Sequence, residues 1–411
     1  MKLSLLLEQN PYFSSSAASN RALTLIEGLE RIGVQIELLI LNGYQSRDER
    51  MTLGDKGKYR GVSYQYFSKF ILDNLWKRRF HRYFGWIYYY FIKRRTIIHL
   101  AQEKRIIWPS RSFSCWKIAC LSKEKSRENL LFIELSEFLD IHHHNRGNFL
   151  QKRMGDSMEA FFNKKMYPLL DGLALMTITL MRYYSTVNGV SVKSLHLPMT
   201  VDLDRFDHPR VLPSGSLLQP YIAYVGAMND AKDGVSLLIK AFSRIREKFP
   251  DHSLYLVGSK NYDTPKHQLL IKELNLEKRV FYLGERSRHQ VPSIICNADL
   301  LVLPRPDSKQ AQGGFPTKLG EYLATGNAIC CTKVGEIPNY LVDEESVFFA
   351  EPGSDISFAS AMDRALSDLE RKIKVGYQGK VIAERSFNKI IQANKLYDFL
   401  TEIWTENKFL N

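Results

Sequence analysis

The sequence predicts an α/β protein of two doubly wound domains, each a parallel sheet wound by helices, facing each other across a cleft. Three observations predict it. The chain has 411 residues, too many for one core at roughly 100 to 200 residues per domain. Short apolar runs alternate with stretches of helical spacing through both halves. Between the halves the pattern breaks over 198–220, where Pro198, Pro209, Pro213, Gly215 and Pro220 read as a linker.

In the first domain, 1–197, residues 2–8 read as a strand, followed by a Ser/Ala loop over 14–19. Residues 20–33 are helical by the spacing of Ala22, Leu25, Ile26 and Leu29, with Gly33 as a stop. Further strands are expected at 34–41, 62–67, 105–108, 130–135, 172–177 and 192–197. The second domain, 221–386, has clearer signals. Strands at 221–225, 253–257, 279–283 and 299–303 end at Gly226, Gly258, Gly284 and Pro304, and 327–332 closes the series. Val235, Leu238, Phe242 and Ile245 mark one face of a helix. The segment 387–411 reads as a C-terminal helix packing back on the first domain. In such sheets ligands sit beyond the carboxyl ends of the strands, so function is sought in those loops.

Hydrophobic residues make up 45% and charged residues 25%, the balance of a globular protein. No apolar run reaches the roughly 18 to 20 residues of a membrane-spanning helix, and the opening stretch, residues 1–8, is apolar too briefly to be expected to act as a secretion signal. Five cysteines, Cys115, Cys120, Cys296, Cys330 and Cys331, match no disulfide or zinc pattern and fit reduced thiols in a cytoplasmic protein. The net charge is +13, and eleven Lys or Arg against two acids fall within 69–111. There an aromatic block, 83–92, including Trp86 and Tyr89, lies between Lys77-Arg78-Arg79 and Lys93-Arg94-Arg95. Too short to span a bilayer, it suits the interface of an anionic membrane on the inner face of the cell membrane. A core helix with solvated basic ends is the alternative. Nucleic acid is disfavoured, because the aromatics form one block rather than interleaved stacking platforms.

Two stretches carry chemistry. In 224–234, Gly226 follows a strand and lets a ligand approach the backbone, Asn229 precedes the next helix, and Lys232 adds a cation, together a phosphate site. In 312–326, Gly313 and Gly314 lead through Phe315 to a helix start at Pro316 and Thr317, and the free backbone N–H groups of this stretch suit a diphosphate. Glu321, on the same face as Thr317, is placed to accept ribose hydroxyls; otherwise it pairs with Lys318 on the surface.

These pieces, with 280–284, 298–304, Gly326 and 334–338, resemble the donor-binding domain of family 4 glycosyltransferases, retaining enzymes of GT-B fold that build bacterial surface glycans. Residues 201–206 resemble the family's lead-in to that domain. The first half matches only in layout. The resemblance implies that Lys232 neutralises the donor diphosphate, that Gly314–Thr317 cradles it, that Glu321 holds the ribose, and that Leu283 and Gly284 meet the base. Two departures stand out. The family's partner of Glu321 falls at Gly313, and a cation common after the first glycine is replaced by Ala227. Arg305, ahead of Lys318, is the expected substitute cation. In the first domain Ser19 and Asn20 are expected to face the same diphosphate, and Glu137 or His142 the acceptor hydroxyl. Three successive histidines, His142 to His144, cannot all face one ion, and Asp202-Leu203-Asp204 sits in the linker, so no metal site is expected.

The resemblance therefore implies a metal-independent retaining glycosyltransferase with no cofactor, taking a UDP- or GDP-sugar and a glycan or lipid-linked acceptor. Alternatives are a nucleotide-sugar hydrolase or epimerase of the same fold, or a non-catalytic membrane-binding protein whose nucleotide site has decayed.

Overall fold

The computed structural model describes residues 1–14, 16–139, 149–187, 189–207 and 217–406. The chain divides into two compact units, Met1–Leu197 with Ile390–Asn411, and Pro198–Lys389. Each is built on one sheet.

The first sheet holds β1 (Lys2–Leu7), β2 (Gln35–Ile40), β3 (Lys56–Tyr59), β4 (Val62–Tyr66), β5 (Ile106–Pro109), β6 (Leu130–Leu135), β7 (Gly172–Leu175) and β8 (Ser194–His196). Their order is β3-β4-β2-β1-β5-β6-β7-β8, parallel except for β3 against β4. Strands covered on both faces need nearly continuous apolar sequence, which is why Leu3, Leu5 and Leu6 are all buried. The polar strand β3 has no such signal. It is an edge strand, joined to β4 by Arg60 and Gly61, both at positive φ, the backbone of a tight hairpin.

Residues 14–19 are not all loop, as the small residues had suggested. A helix runs over Ala17–Arg31, because the Ser16 hydroxyl caps it by accepting the Ser19 N–H at 3.1 Å. The C-terminal helix Lys389–Glu406 buries Ala393, Leu396, Phe399, Leu400 and Ile403 in the core of the first unit. Gly172 makes room for it: a Cβ there would lie 2.9 Å from the Phe399 ring.

The basic aromatic stretch is one continuous helix, Leu75–Leu100. Its last turns bury Ile92, Thr96 and Leu100, and expose Tyr90, Phe91, Arg94 and Arg95. Tyr89 is half-buried and donates to the Ser114 carbonyl at 3.3 Å, Lys93 is half-buried, and Lys77 pairs with Asp73 at 2.7 Å. Trp76 is 82% exposed, so the outward face carries aromatic and cationic groups together. The side chains of Arg78, Arg79 and Trp86 lie outside the described residues. Among the described residues no helix is long and apolar enough to cross a membrane.

Under the first sheet, Glu37 meets Arg105 at 2.9 Å, His99 at 3.2 Å and Lys2 at 3.7 Å. Burial pushes its carboxyl up, but the His99 hydrogen bond and these positive charges outweigh it and hold it at about 2. A carboxylate depressed by folding contributes stability above its ordinary value and loses it as pH falls toward the folded value. We expect about 3 kcal/mol to disappear between pH 4.5 and 2. In Glu37→Gln, denaturant unfolding followed over that range should lose this part of the acid slope.

The second sheet holds β9 (Tyr221–Val225), β10 (Ser253–Val257), β11 (Val280–Gly284), β12 (Leu300–Leu303), β13 (Ile329–Thr332) and β14 (Phe348–Ala350) in the order β11-β10-β9-β12-β13-β14, all parallel. The last strand extends a series expected to close at β13, its three residues being too short a run to read as a strand. The order reverses between β9 and β12, and ligands of such sheets bind beyond the strand ends at that point.

The start of the stretch read as a linker packs with this unit. Val201 exchanges backbone hydrogen bonds with Phe387 and Lys389, and buried Lys389 pairs with Asp202 at 2.6 Å. Residues 208–216 lie outside the described residues.

Candidate functional site

The loops after β9 and β12 and the helix Thr317–Thr325 converge at the switch point of the second sheet. Gly226 leaves β9 with its N–H on the Val257 carbonyl at 2.8 Å. The next residues form a single helical turn, Asp230–Asp233, capped by the Asn229 side chain, which accepts the Lys232 N–H at 3.1 Å. Gly234 ends it at φ 69°, where a Cβ would meet the Pro304 carbonyl at 2.1 Å. Only glycine satisfies both demands. Asp230 anchors the turn, accepting from Ser236, Lys266 and His267 at 2.6 to 2.9 Å. Although burial opposes it, these bonds hold the Asp230 carboxyl far below the usual range. The turn is thus fixed, while the half-exposed Lys232 ammonium makes no ion pair among the described residues.

Lys318 comes to the same place from the other side. Its Nζ lies 2.7 Å from Asp233 Oδ1 and 3.1 Å from the Tyr224 hydroxyl, above the Tyr224 ring. A Cβ at Gly226 would fall 2.1 Å from that nitrogen, so the glycine admits the lysine. Burial pulls the Lys318 ammonium down from its ordinary value, and Asp233 opposes the pull. Asp233 is itself buried, and its Oδ2 has no hydrogen-bond partner among the described residues. Burial, and then the Asp233 charge, raise the Tyr224 hydroxyl well above its ordinary value.

Arg305, expected as the substitute cation, is buried, with Nη2 on the Gln310 carbonyl at 3.0 Å. Gly314, Phe315 and Pro316 are buried ahead of the helix Thr317–Thr325, and Phe315 packs on Tyr340 and Phe387. The first N–H groups of this helix have no intrahelical partner, as at any helix start, and among the described residues no side chain caps them. Glu321 is not paired with Lys318. Its Oε1 accepts from Arg205 Nη1 at 2.6 Å. Leu283 and Gly284 end β11, where the Gly284 carbonyl accepts the Gly258 N–H at 3.0 Å.

The switch point therefore gathers Gly226, Asn229, Lys232, Thr317 and Lys318, with Glu321 one turn further along its helix. Sequence reasoning missed Tyr224, Asp233 and Arg205 as participants. The only signal was composition, a charge beside a glycine or within a turn, which does not name its partner.

In the first unit, Ser19, expected in a loop, sits with Asn20 in the opening turn of the helix Ala17–Arg31. Glu137 pairs with Arg111 at 3.1 Å just after β6, and Glu134 with Arg21 at 3.2 Å. Burial raises the Glu134 carboxyl and Arg21 opposes the rise. His142 lies outside the described residues. No group of three or more His, Cys, Asp or Glu suited to a metal ion occurs among the described residues.

Residues 216–381 match the family model described as Glycosyl transferases group 1. D-inositol 3-phosphate glycosyltransferase of Corynebacterium glutamicum is 24% identical over 160 residues, 38% of this chain and 37% of that protein. The same enzyme of Corynebacterium efficiens is 25% identical over 189 residues, 45% of this chain and 43% of that one. The chain thus spans less than half the length of these relatives. Whole-chain likeness is structural. Sucrose-phosphate synthase from Thermosynechococcus elongatus superposes with TM-score 0.72 at 16% identity, covering 98% of this chain and 99% of that one. HepE of Anabaena, in complex with UDP, does so with TM-score 0.68 at 14% identity, covering 98% and 100%. The fold is GT-B, two doubly wound α/β domains, and residues 216–381 of the chain are similar to the group 1 glycosyl transferases.

Proposed function

We propose that the protein is a retaining glycosyltransferase that moves a sugar from a UDP- or GDP-linked donor to a glycan or lipid-linked acceptor, in polysaccharide or surface-glycan synthesis on the inner face of the cell membrane. The observation that carries the reading is the convergence of Lys232, Lys318 and a helix start around Gly226, within a stretch that matches the group 1 family model. In the transfer, the bond from the sugar C1 to the diphosphate oxygen breaks and a bond from C1 to the acceptor oxygen forms. The acceptor proton leaves to a base. Negative charge grows on the departing diphosphate, and preorganised cations and N–H groups stabilise that charge most where water is excluded. We assign this to Lys232, to the backbone N–H groups of Phe315 and Thr317 within Gly314–Thr317, since the Gly314 N–H is held by the Gln310 carbonyl and Pro316 has none, and to Lys318 in the place of the cation absent at Ala227, with no divalent metal required. Lys318 rather than Arg305 takes this role because its Nζ, not a guanidinium bound to Gln310, lies beside Gly226.

Glu321 is assigned to the ribose hydroxyls and the chain at Leu283 and Gly284 to the base. On the first unit, Ser19 and Asn20 are assigned to the diphosphate and Glu137 to the acceptor hydroxyl. UDP in complex with HepE supports a uridine donor.

The test is thermal stabilisation by UDP, GDP, ADP and CMP, followed by transfer from the matching nucleotide sugar and the anomeric configuration of the product. A nucleotide at 100 times its dissociation constant adds about 2.7 kcal/mol. A shift by one nucleotide, absent in Lys232→Ala, is the expected result. Release of free sugar without an acceptor product would favour a hydrolase. Binding of vesicles without any nucleotide would favour a non-catalytic protein, the reading that Gly313 and Ala227 suggest.

The exposed aromatic and basic face of the helix Leu75–Leu100 supports the membrane part of the proposal. Each cation near an anionic surface contributes about 1 kcal/mol. Loss of Arg94 and Arg95 together, as Gln, should weaken binding to phosphatidylserine vesicles roughly thirtyfold in co-sedimentation, and added salt should reduce the difference.

A further inference from the structure

We infer that Arg205 is a positioning residue that ties the ribose carboxylate to the base loop of the donor site, an inference that rests on the ribose assignment of Glu321. Arg205 lies in the short helix Asp204–Asp207 of the lead-in to the second unit, far in sequence from the residues it holds. Its guanidinium is largely buried and forks. Nη1 donates to Glu321 Oε1 at 2.6 Å, and Nη2 donates to the main-chain carbonyl of Arg288 at 2.8 Å. One planar group therefore links the helix Thr317–Thr325 to the loop that follows Gly284 at the end of β11. Those are the elements assigned to ribose and base.

The arm that carries Arg205 is itself fixed. Val201 is paired with the backbone of Phe387 and Lys389, and Lys389 holds Asp202 at 2.6 Å. Met199 packs into the space left by Gly320, where a Cβ would fall 1.6 Å from its methyl carbon. The arm thus lies directly against the helix that bears Glu321. Arg205 occupies Oε1 only. Among the described residues nothing binds Glu321 Oε2, which leaves that oxygen as an acceptor. A lysine in this place retains the charge but not the fork, and so cannot span both partners.

Titration calorimetry of the full chain with UDP and GDP, each beside its 2′,3′-dideoxy analogue, tests this. The unmodified protein should prefer the ribose form by about tenfold or more, as for hydrogen bonds to a charged acceptor. Glu321→Gln and Arg205→Lys should each lose most of that preference, and Arg205→Lys, which also frees the base loop, should weaken the dideoxy form as well, but by less than the ribose form. Arg205→Gln, with melting of the unliganded protein as a control on folding, is the second variant. Arg205 variants that keep the full preference, or that weaken both forms equally, overturn the inference. Preference retained in Glu321→Gln overturns the ribose assignment and the inference with it. No binding of either nucleotide by the unmodified protein overturns the nucleotide reading itself.

Discussion

In Lys232→Ala, kcat for sugar transfer falls about 10²- to 10³-fold, the effect of removing one preorganised group from the charge that develops in a transition state. The melting temperature of the unliganded protein stays within about 2 °C, because the residue is a half-exposed surface group. The separation between the two effects follows from the structure. The turn Asp230–Asp233 is held by the Asn229 cap and by the Asp230 hydrogen bonds to Ser236, Lys266 and His267. The Lys232 side chain makes none of these. Its backbone N–H, which the cap uses, survives in alanine. Steady-state kinetics at saturating and at limiting donor check the prediction. Undiminished transfer in both regimes removes Lys232 from the diphosphate.

Lys318→Met has the opposite signature, a loss of stability together with a loss of donor affinity. Asp233 is left buried with neither oxygen compensated, since Oδ2 already lacks a partner among the described residues. Removing one member of a buried pair costs about 3 to 5 kcal/mol. At 2 to 4 °C per kcal/mol in a domain of this size, the melting temperature drops roughly 10 °C. Removing both charges is different, because a buried pair exchanged for apolar side chains is often neutral. Lys318→Met combined with Asp233→Leu should therefore recover most of the stability in calorimetry and none of the nucleotide affinity. A double variant as unstable as the single one means that the charge is not the cause. A double variant that binds UDP as well as the unmodified protein takes Lys318 out of the donor site.

Much of this architecture is written in short stretches of sequence. β9, β10 and β11 end at glycines, and β12 at Pro304, because each strand must turn sharply into a loop at the end of the sheet. The helix Val235–Ile245 shows its buried face in the spacing of Val235, Leu238, Phe242 and Ile245. The strands that escaped are those that lack the signal. β3 is polar because an edge strand meets solvent, and β14 has three residues. The start of the helix Ala17–Arg31 was displaced because serine and alanine suit a loop as well as a first turn, and the Ser16 cap decides between them.

The candidate site divides along the same line. Gly226, Lys232, Thr317 and Glu321 stand out because the chemistry of a glycine turn or a helix start lies within a few residues. Their partners do not. Lys318 finds Asp233 from 85 positions away, and Glu321 finds Arg205 from 116. Sequence position favoured Arg305 as the second cation, since it follows β12, but burial against Gln310 turns its guanidinium inward.

By itself, then, the sequence determined the α/β class, the series of parallel strands and the loops where a diphosphate would bind, since these depend on periodicity and on local backbone freedom. Only the tertiary structure decided which charges face each other there. The strand order β11-β10-β9-β12-β13-β14 brings distant crossovers together at the carboxyl ends of β9 and β12, and an ion pair is set by that proximity and by burial rather than by neighbours along the chain.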